Sequence, residues 1–279
     1  MPATSSAGPS ILILTLNEES HLPACLASVA GCDDVVVLDS GSTDATADIA
    51  RAAGARVATH RFVDFADQRN HAHAAIEFRH PFVFHLDADE LFTPELRLEC
   101  AALDPAAPVD GYYAAPQMIF DGRWLRRCTD FPAWQARCVR ARGFRFIQVG
   151  HGQREAPEMR MGFLRGTYRH DISVPDAAAW EAKHRRYARE EAAQYLAARR
   201  PWPEVLRRIA GGPALERRRA LKHLSYGLPG RPALRFLYQY LLRGGFLDGA
   251  GAARYCRLLA RYEGFTVDEI RRQRKAADA

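Results

Sequence analysis

Four short runs set the architecture of this chain: ILILT (11 to 15), VVVLD (35 to 39), RVATH (56 to 60) and FVFHL (82 to 86). Each is apolar or rich in β-formers, and a segment with helical spacing separates it from the next. Strands that alternate with helices pair in parallel through crossover connections, so the expected fold is an open, mostly parallel α/β sheet. Ligands of such sheets sit in the crevice beyond the carboxyl ends of the strands. The first helical segment follows Asn17, with Leu22, Leu26 and Val29 on one face and acidic residues in its first turn, where the helix dipole favours them. The second is expected from near Asp44 to Gly54, a suitable C-cap, and the third through ADQRNHAHAAIEFR to a stop at Pro81.

Beyond Glu90 the period changes. YYAAPQMIF, QARCVRA and FRFIQV, broken by Gly122, Pro132 and Gly143, predict antiparallel hairpins attached to the parallel sheet. From Pro175 the pattern is helical, with Trp180, His184, Tyr187 and Tyr195 on one face of a long helix. Further helices are expected over 203–210, 214–225, 232–243, 249–262 and 266–275. The organisation this predicts is a flexible leader over 1–9, an α/β domain over 10–175 and a basic helical region over 176–279. Charge divides the chain in the same place. Residues 177–279 carry 22 Lys+Arg against 10 Asp+Glu, net +12, and residues 1–176 carry 17 against 23, net −6. That asymmetry points the C-terminal region toward something anionic, a membrane surface or nucleic acid.

Composition narrows the class. At 48% hydrophobic and 26% charged, the sequence has no apolar stretch long enough to cross a bilayer. The first nine residues lack the basic start and apolar core of a secretory signal, so a cytoplasmic location is expected. Six scattered cysteines have neither zinc-site spacing nor disulfide-scaffold density and read as reduced thiols.

The fourth run ends on FVFHLDADE, three carboxylates in four positions. Strand alternation would point Asp87 and Asp89 the same way, and clustered carboxylates at the end of a buried strand are relieved by a divalent cation that draws its other ligands from phosphate and water. The alternative is a solvated acidic loop. The rim of the sheet gathers three more polar clusters: Thr15-Leu16-Asn17-Glu18, Asp39-Ser40 to Asp44, and Gln68-Arg69-Asn70. Taken one at a time these suit turns and helix caps. Together at consecutive strand ends they suit a nucleotide, with Asn17 and Asp39 bonding base and ribose, Arg69 stacking on or neutralising the ligand, and the aspartates holding a metal beside a diphosphate. Neither a P-loop nor a G-x-G-x-x-G fingerprint is present, so phosphates would be met by metal.

The stretches ILILTLNEESHLPACLASV, VVVLDSGSTDATADIA, FADQRNHAHA and HLDADELFTPEL strongly resemble the inverting family 2 glycosyltransferases of GT-A fold. The LDADE form resembles their lipopolysaccharide-core glucosyltransferase (WaaE-like) branch, as do GRWLRRCTDFPAWQARCVR and RPALRFLYQYLLRGGFLDGAGA downstream. The sequence departs from that branch at Arg127 and Ala133, and in VGHGQREA, where His151 and Glu155 stand apart.

The resemblance implies a nucleotide-sugar donor, a uridine diphosphate sugar, with Thr15, Leu16, Asn17, Glu18, Asp39, Ser40, Asp44, Gln68, Arg69, Asn70, Asp87 and Ala88 on the donor side. It implies Mg²⁺ or Mn²⁺ with Asp89 as first ligand and His170, in RGTYRHDIS, as a second. An acceptor hydroxyl on a glycan or lipid-linked molecule needs a carboxylate base, for which Glu155 is placed first and Asp130 second. Arg254, Arg257 and Arg261, beside Tyr255, Leu259 and Tyr262, suit either an anionic membrane surface or a packed helix with a solvated arginine face. Two rivals remain: a non-catalytic nucleotide-sugar binder, and a nucleic-acid binder using the basic helices. The acidic rim argues against nucleic acid as a partner.

Overall fold

The computed structural model describes residues 8–149, 152–197, 202–211, 217, 220–221, 224–226, 228 and 230–277. Residues 1–7 of the expected leader, His151 and much of the helix expected over 214–225 lie outside them. The chain forms two compact units: the described parts of Met1–Ile119 with Phe131–Asp171, and of Phe120–Asp130 with Ile172–Ala279.

In the first unit β1 (Ser10–Thr15), β2 (Val35–Asp39), β3 (Arg56–Thr59) and β4 (Phe82–Asp87) are parallel, in the order β3-β2-β1-β4. The apolar runs of β1, β2 and β4 are continuous because both faces are covered, whereas β3, at the edge, is partly exposed. Ile11 and Ile13 enter one core with Leu22, Phe84 and Leu96, while Leu12 enters another with Val36, Leu38, Ala72 and Val83. The order reverses at β1, and open α/β sheets bind ligands at such a switch point, here the ends of β1 and β4. The sheet continues through β8 (Gln135–Arg140), β6 (Gly111–Phe120), β11 (Met161–Asp171) and β5 (Glu90–Leu91). β8 runs antiparallel to β4 and β6, and β5 antiparallel to β11. β9 (Phe146–Val149) and β10 (Gly152–Glu155) form a separate hairpin. β11 pairs parallel with β6, where hairpins alone were expected. This is the expected α/β fold, with a mostly parallel half and a mixed half.

The helices differ from expectation at their ends. α1 (Leu22–Ser28) begins after the acidic residues, since Pro23 fits the first turn and Glu18 and Glu19 are used in the preceding loop. α2 covers Thr46–Ala52. α3 (Phe65–Ala75) starts at Asp64, whose side chain accepts from Asp67 N–H, and stops short of Pro81 because Ile76 turns extended and packs with Phe78 beneath the sheet. α4 (Pro94–Ala101) lies along β11. There the register slips: Phe163 faces Tyr113, but Thr167 faces Ala115. The Glu99 carboxylate accepts from the freed N–H groups of Arg165 and Gly166, and a Cβ on Gly166 would stand 2.8 Å from Leu96 Cα.

The second unit holds the two-residue β7 (Arg123–Trp124), then α5 (Ala177–Ala197), α6 (Trp202–Gly211) and α7 (Arg231–Leu237). α7 runs into a π-helical turn, Tyr238–Leu242, then a 3₁₀ turn, Gly245–Asp248, and α8 (Ala250–Ala277). α8 is continuous where two helices were expected. Gly264 costs a helix about 1 kcal/mol, which packing against α5 and α7 outweighs. Of Arg254, Arg257 and Arg261, Arg254 pairs with Asp121 and Arg261 with Glu181, both within the unit. Phe120, Leu125, Cys128, Ala252 and Cys256 form its core with Phe236 and Tyr240. Among the described residues no helix is long and apolar enough to cross a membrane.

Candidate active site

The ends of β1 and β2 build a fixed shelf. Asp39 is buried, and its two oxygens accept from Thr15 Oγ1, Ser42 Oγ, Gly41 N–H and Ser42 N–H. Burial works to raise its carboxyl, but these bonds hold it below the ordinary carboxylate range. Four protein donors fill a carboxylate's capacity, so Asp39 shapes the turn and does not present the free acceptor expected for a ribose. Asn17 has φ 56°, a left-handed conformation that Asn tolerates, and its Oδ1 accepts from Thr43 N–H while its own N–H donates to Ser42 Oγ. Asn17 therefore locks two loops and is no cap for α1. Thr46 Oγ1 accepts from Glu18 N–H, Asp44 accepts from Glu19 N–H, and Glu19 accepts from Ala45 N–H. Leu16 remains exposed at the edge.

At the end of β4 a charge network is assembled largely out of water. Arg69 and Arg137 are 1% and 2% exposed. Arg69 Nη2 donates to Asp87 Oδ1 at 3.0 Å; Arg137 Nη2 reaches Glu90 Oε1 at 2.7 Å and Asp87 Oδ2 at 3.3 Å. Arg137 also donates to Tyr168 Oη and the His85 carbonyl. Burial would raise the Asp87 carboxyl, yet Arg137 and Arg69 hold it at about 2; for Glu90 burial prevails over Arg137 and lifts it to about 7. Arg69 thus lies beneath Asp87 and not stacked on a ligand, and its Nε and Nη1 are buried with no partner. Gln68 donates to the His60 carbonyl and to Ser40 Oγ. Asn70 exchanges two 2.9 Å bonds with the Phe146 backbone, so its amide anchors β9 and is not offered to a donor.

Asp89 and His170 meet at the open edge of this network. β4 ends at Asp87 and turns at buried Ala88, so Asp89 leaves the strand and the alternation that would align it with Asp87 does not apply. Antiparallel pairing sets His170 opposite Glu90, bringing its Nε2 to 3.3 Å from Asp89 Oδ2. Burial alone would lower the imidazole, but Asp89 and its acidic neighbours raise it above 6.5. One carboxylate and one imidazole, 40% and 27% exposed, form a donor pair able to hold a divalent ion that completes its shell elsewhere. Among the described residues no group of three or more His, Cys, Asp or Glu is arranged to hold one unaided.

The two expected bases fall in different units. Glu155, on β10, accepts a 2.5 Å bond from Tyr113 Oη with Oε1, and its Oε2 is covered without a partner. Asp130 is exposed in the second unit. Sequence reading missed Arg137, Tyr113 and Tyr168. Gln135-x-Arg137 was noticed only as part of a resemblance, and nothing local marks its arginine as the partner of carboxylates 47 and 50 positions away.

Residues 10–159 match the family model for glycosyl transferase family 2. Over 93 residues the chain is 36% identical to the lipopolysaccharide core biosynthesis glycosyltransferase LpsC of Rhizobium meliloti, covering 32% of this chain and 34% of that one. It is 32% identical over 106 residues to an uncharacterized glycosyltransferase of Rickettsia typhi, covering 38% and 36%. The chain thus spans about a third of the length of the curated relatives it matches. Among solved structures, S. aureus TarS 1–349 aligns over 95% of this chain and 91% of its own at TM-score 0.43 and 18% identity. Glucosyl-3-phosphoglycerate synthase from Mycobacterium tuberculosis, in complex with Mg²⁺ and uridine diphosphate, aligns over 42% and 44% at TM-score 0.33 and 23% identity. With more than half of its residues matched by one family model, and a carboxylate–arginine network at the switch point of an α/β sheet, the chain belongs to glycosyl transferase family 2.

Proposed function

We propose that this protein transfers a sugar with inversion from a uridine diphosphate sugar to a hydroxyl of a glycan or lipid-linked acceptor, such as a lipopolysaccharide core, in the cytoplasm. One observation carries the reading: Asp89 and His170, 3.3 Å apart, stand at the lip of carboxylates that two buried arginines keep in place. The likeness to LpsC supports the acceptor class.

Bound between Asp89, His170 and the donor's diphosphate, Mg²⁺ or Mn²⁺ would supply positive charge for the leaving group without a proton. Asp87, with its carboxyl held near 2, stays ionised at neutral pH and offers a permanent acceptor toward the ribose or the ion's water shell. The shelf at Thr15, Asn17, Asp39 and Ser42 is bonded internally before any ligand arrives, which lowers the ordering cost of binding. The base takes the acceptor's proton as its oxygen attacks the anomeric carbon. Glu155 is the first candidate, oriented by Tyr113, and works only when acceptor binding uncovers Oε2; Asp130 is the second.

Thermal shift with uridine diphosphate and its sugars, with and without Mn²⁺, tests the donor side. Stabilisation is expected only when nucleotide and metal are both present, and Asp89→Asn is expected to abolish it and to slow transfer by roughly 10²-fold or more. Equal stabilisation of wild type and Asp89→Asn would reject the assignment. Near-normal transfer by both Glu155→Gln and Asp130→Asn would exclude both bases. The covered Glu155 oxygen favours one second reading, a non-catalytic nucleotide-sugar binder. Metal-dependent donor binding with neither transfer nor donor hydrolysis would select it.

A further inference from the structure

The arginine face of α8 is largely paired inside its own unit, but the segment preceding it is built differently. α7 and the turns after it place Phe236 and Tyr240 inward, packed against Phe120 and Cys256, and buried Gln239 beside them. The rest of the same segment is apolar and uncovered: Leu234, Leu237, Leu241 and Leu242 are exposed, Leu242 by 80%, and so are Leu247 and Phe246, the latter edge-on to Tyr240. Leu234, Leu237 and Leu241 recur at helical spacing, the π turn adds Leu242, and the 3₁₀ turn adds Phe246 and Leu247. Single exposed apolar side chains are ordinary; six within fourteen positions are not.

Arginines edge this ridge. Gly244, at φ 73°, has the Arg127 side chain and Leu247 Cδ1 on the same side, 3.6 and 3.7 Å from where a Cβ would stand. Arg123 lies against Gly249. Arg243 donates to the carbonyls of Arg127 and Thr129, and among the described residues no carboxylate pairs with it. The local acid, Asp248, faces inward and accepts from the backbone N–H groups of Arg127 and Cys128. Residues 177–279 carry a net +12.

We infer that this ridge is a membrane-docking surface, in which the leucines and Phe246 enter the acyl boundary of an anionic bilayer while Arg123, Arg127 and Arg243 meet its headgroups. An amphipathic element lies in the interface in this way, held by buried apolar area and by attraction to anionic lipid together. A second copy of this chain is the competing occupant. Six apolar side chains edged by three arginines of one sign suit it poorly, because a two-fold contact would bring like charges together.

Flotation of the full chain with vesicles of equal phosphatidylglycerol and phosphatidylethanolamine, and with pure phosphatidylcholine, tests this independently of any transfer activity. Wild type is expected to float with the anionic vesicles at low salt and to release at high salt. Leu242→Glu with Leu247→Glu is expected to lower the bound fraction at least tenfold, with an unchanged circular dichroism spectrum. Leu242→Trp is expected to blue-shift on adding anionic vesicles, a readout that survives if the double variant misfolds. No flotation of wild type at low salt, or wild-type flotation by the folded double variant, would overturn the inference. So would a wild-type dimer that the double variant dissolves without any vesicle binding.

Discussion

Both units bury arginines against carboxylates, and Arg69 of the first differs from Arg231 of the second in how completely it is used. In the second unit Arg231 donates to Glu263 with both Nε and Nη2, bonds Ser225 Oγ, and lies 3.8 Å over the Tyr226 ring. In the first unit Arg69 spends one N–H on Asp87, and its buried Nε and Nη1 have no protein partner. A satisfied buried pair fastens one helix to another. An unsatisfied one is a deficit a folded protein keeps only where something else uses it. The contrast separates a structural lock from a site held ready, although both look the same as Arg in a sequence.

Four substitutions would break or sharpen that contrast. Arg137→Met should have the largest effect, destabilising by about 5 kcal/mol in urea denaturation, because it strands Glu90 and Asp87 together. Arg231→Met should cost about 3 kcal/mol yet leave the metal-dependent stabilisation by uridine diphosphate intact. Arg69→Met should cost less, about 1–2 kcal/mol, but weaken that nucleotide response; the reverse ranking of Arg69 and Arg231 would dissolve the distinction. Arg261→Ala, which removes an exposed pair with Glu181, should cost under about 1 kcal/mol.

Acid offers a check on the same principle at Asp34. Burial pushes its carboxyl up, while Arg79 N–H, Ser10 and Arg56 pull it below its ordinary value. A depressed carboxyl stabilises the fold above the unfolded pKa and loses that contribution as pH falls through the folded one. Asp34→Asn should therefore flatten the acid side of the stability curve; an unchanged slope would remove Asp34 from the account.

The strands of the parallel half were legible because apolar runs buried on both faces leave few alternatives. The rim clusters were legible as a set for a similar reason: topology carries strand ends to one edge whatever their side chains do. Individual roles were not. Asn17 and Asp39 are donors and acceptors in any reading, and only the left-handed turn at Asn17 shows that their bonds close on the protein itself. Asn70 is claimed by Phe146, 76 positions on, and Arg137 by carboxylates that no local pattern ties to it. α8 was divided in two because propensity penalises Gly264, whereas its packing against α5 and α7 has no trace in the local sequence.

The slipped register of β11 constrains how this protein can be altered. Between Phe163 and Thr167 the strand gains two residues on its partner, an even number, so side chains beyond the slip keep the sides they had before it. His170 lies beyond the slip, where pairing with β5 and β6 sets the side it faces. The slip is therefore the slack in this strand: deleting its two extra residues should leave both flanking registers, and the side His170 faces, unchanged.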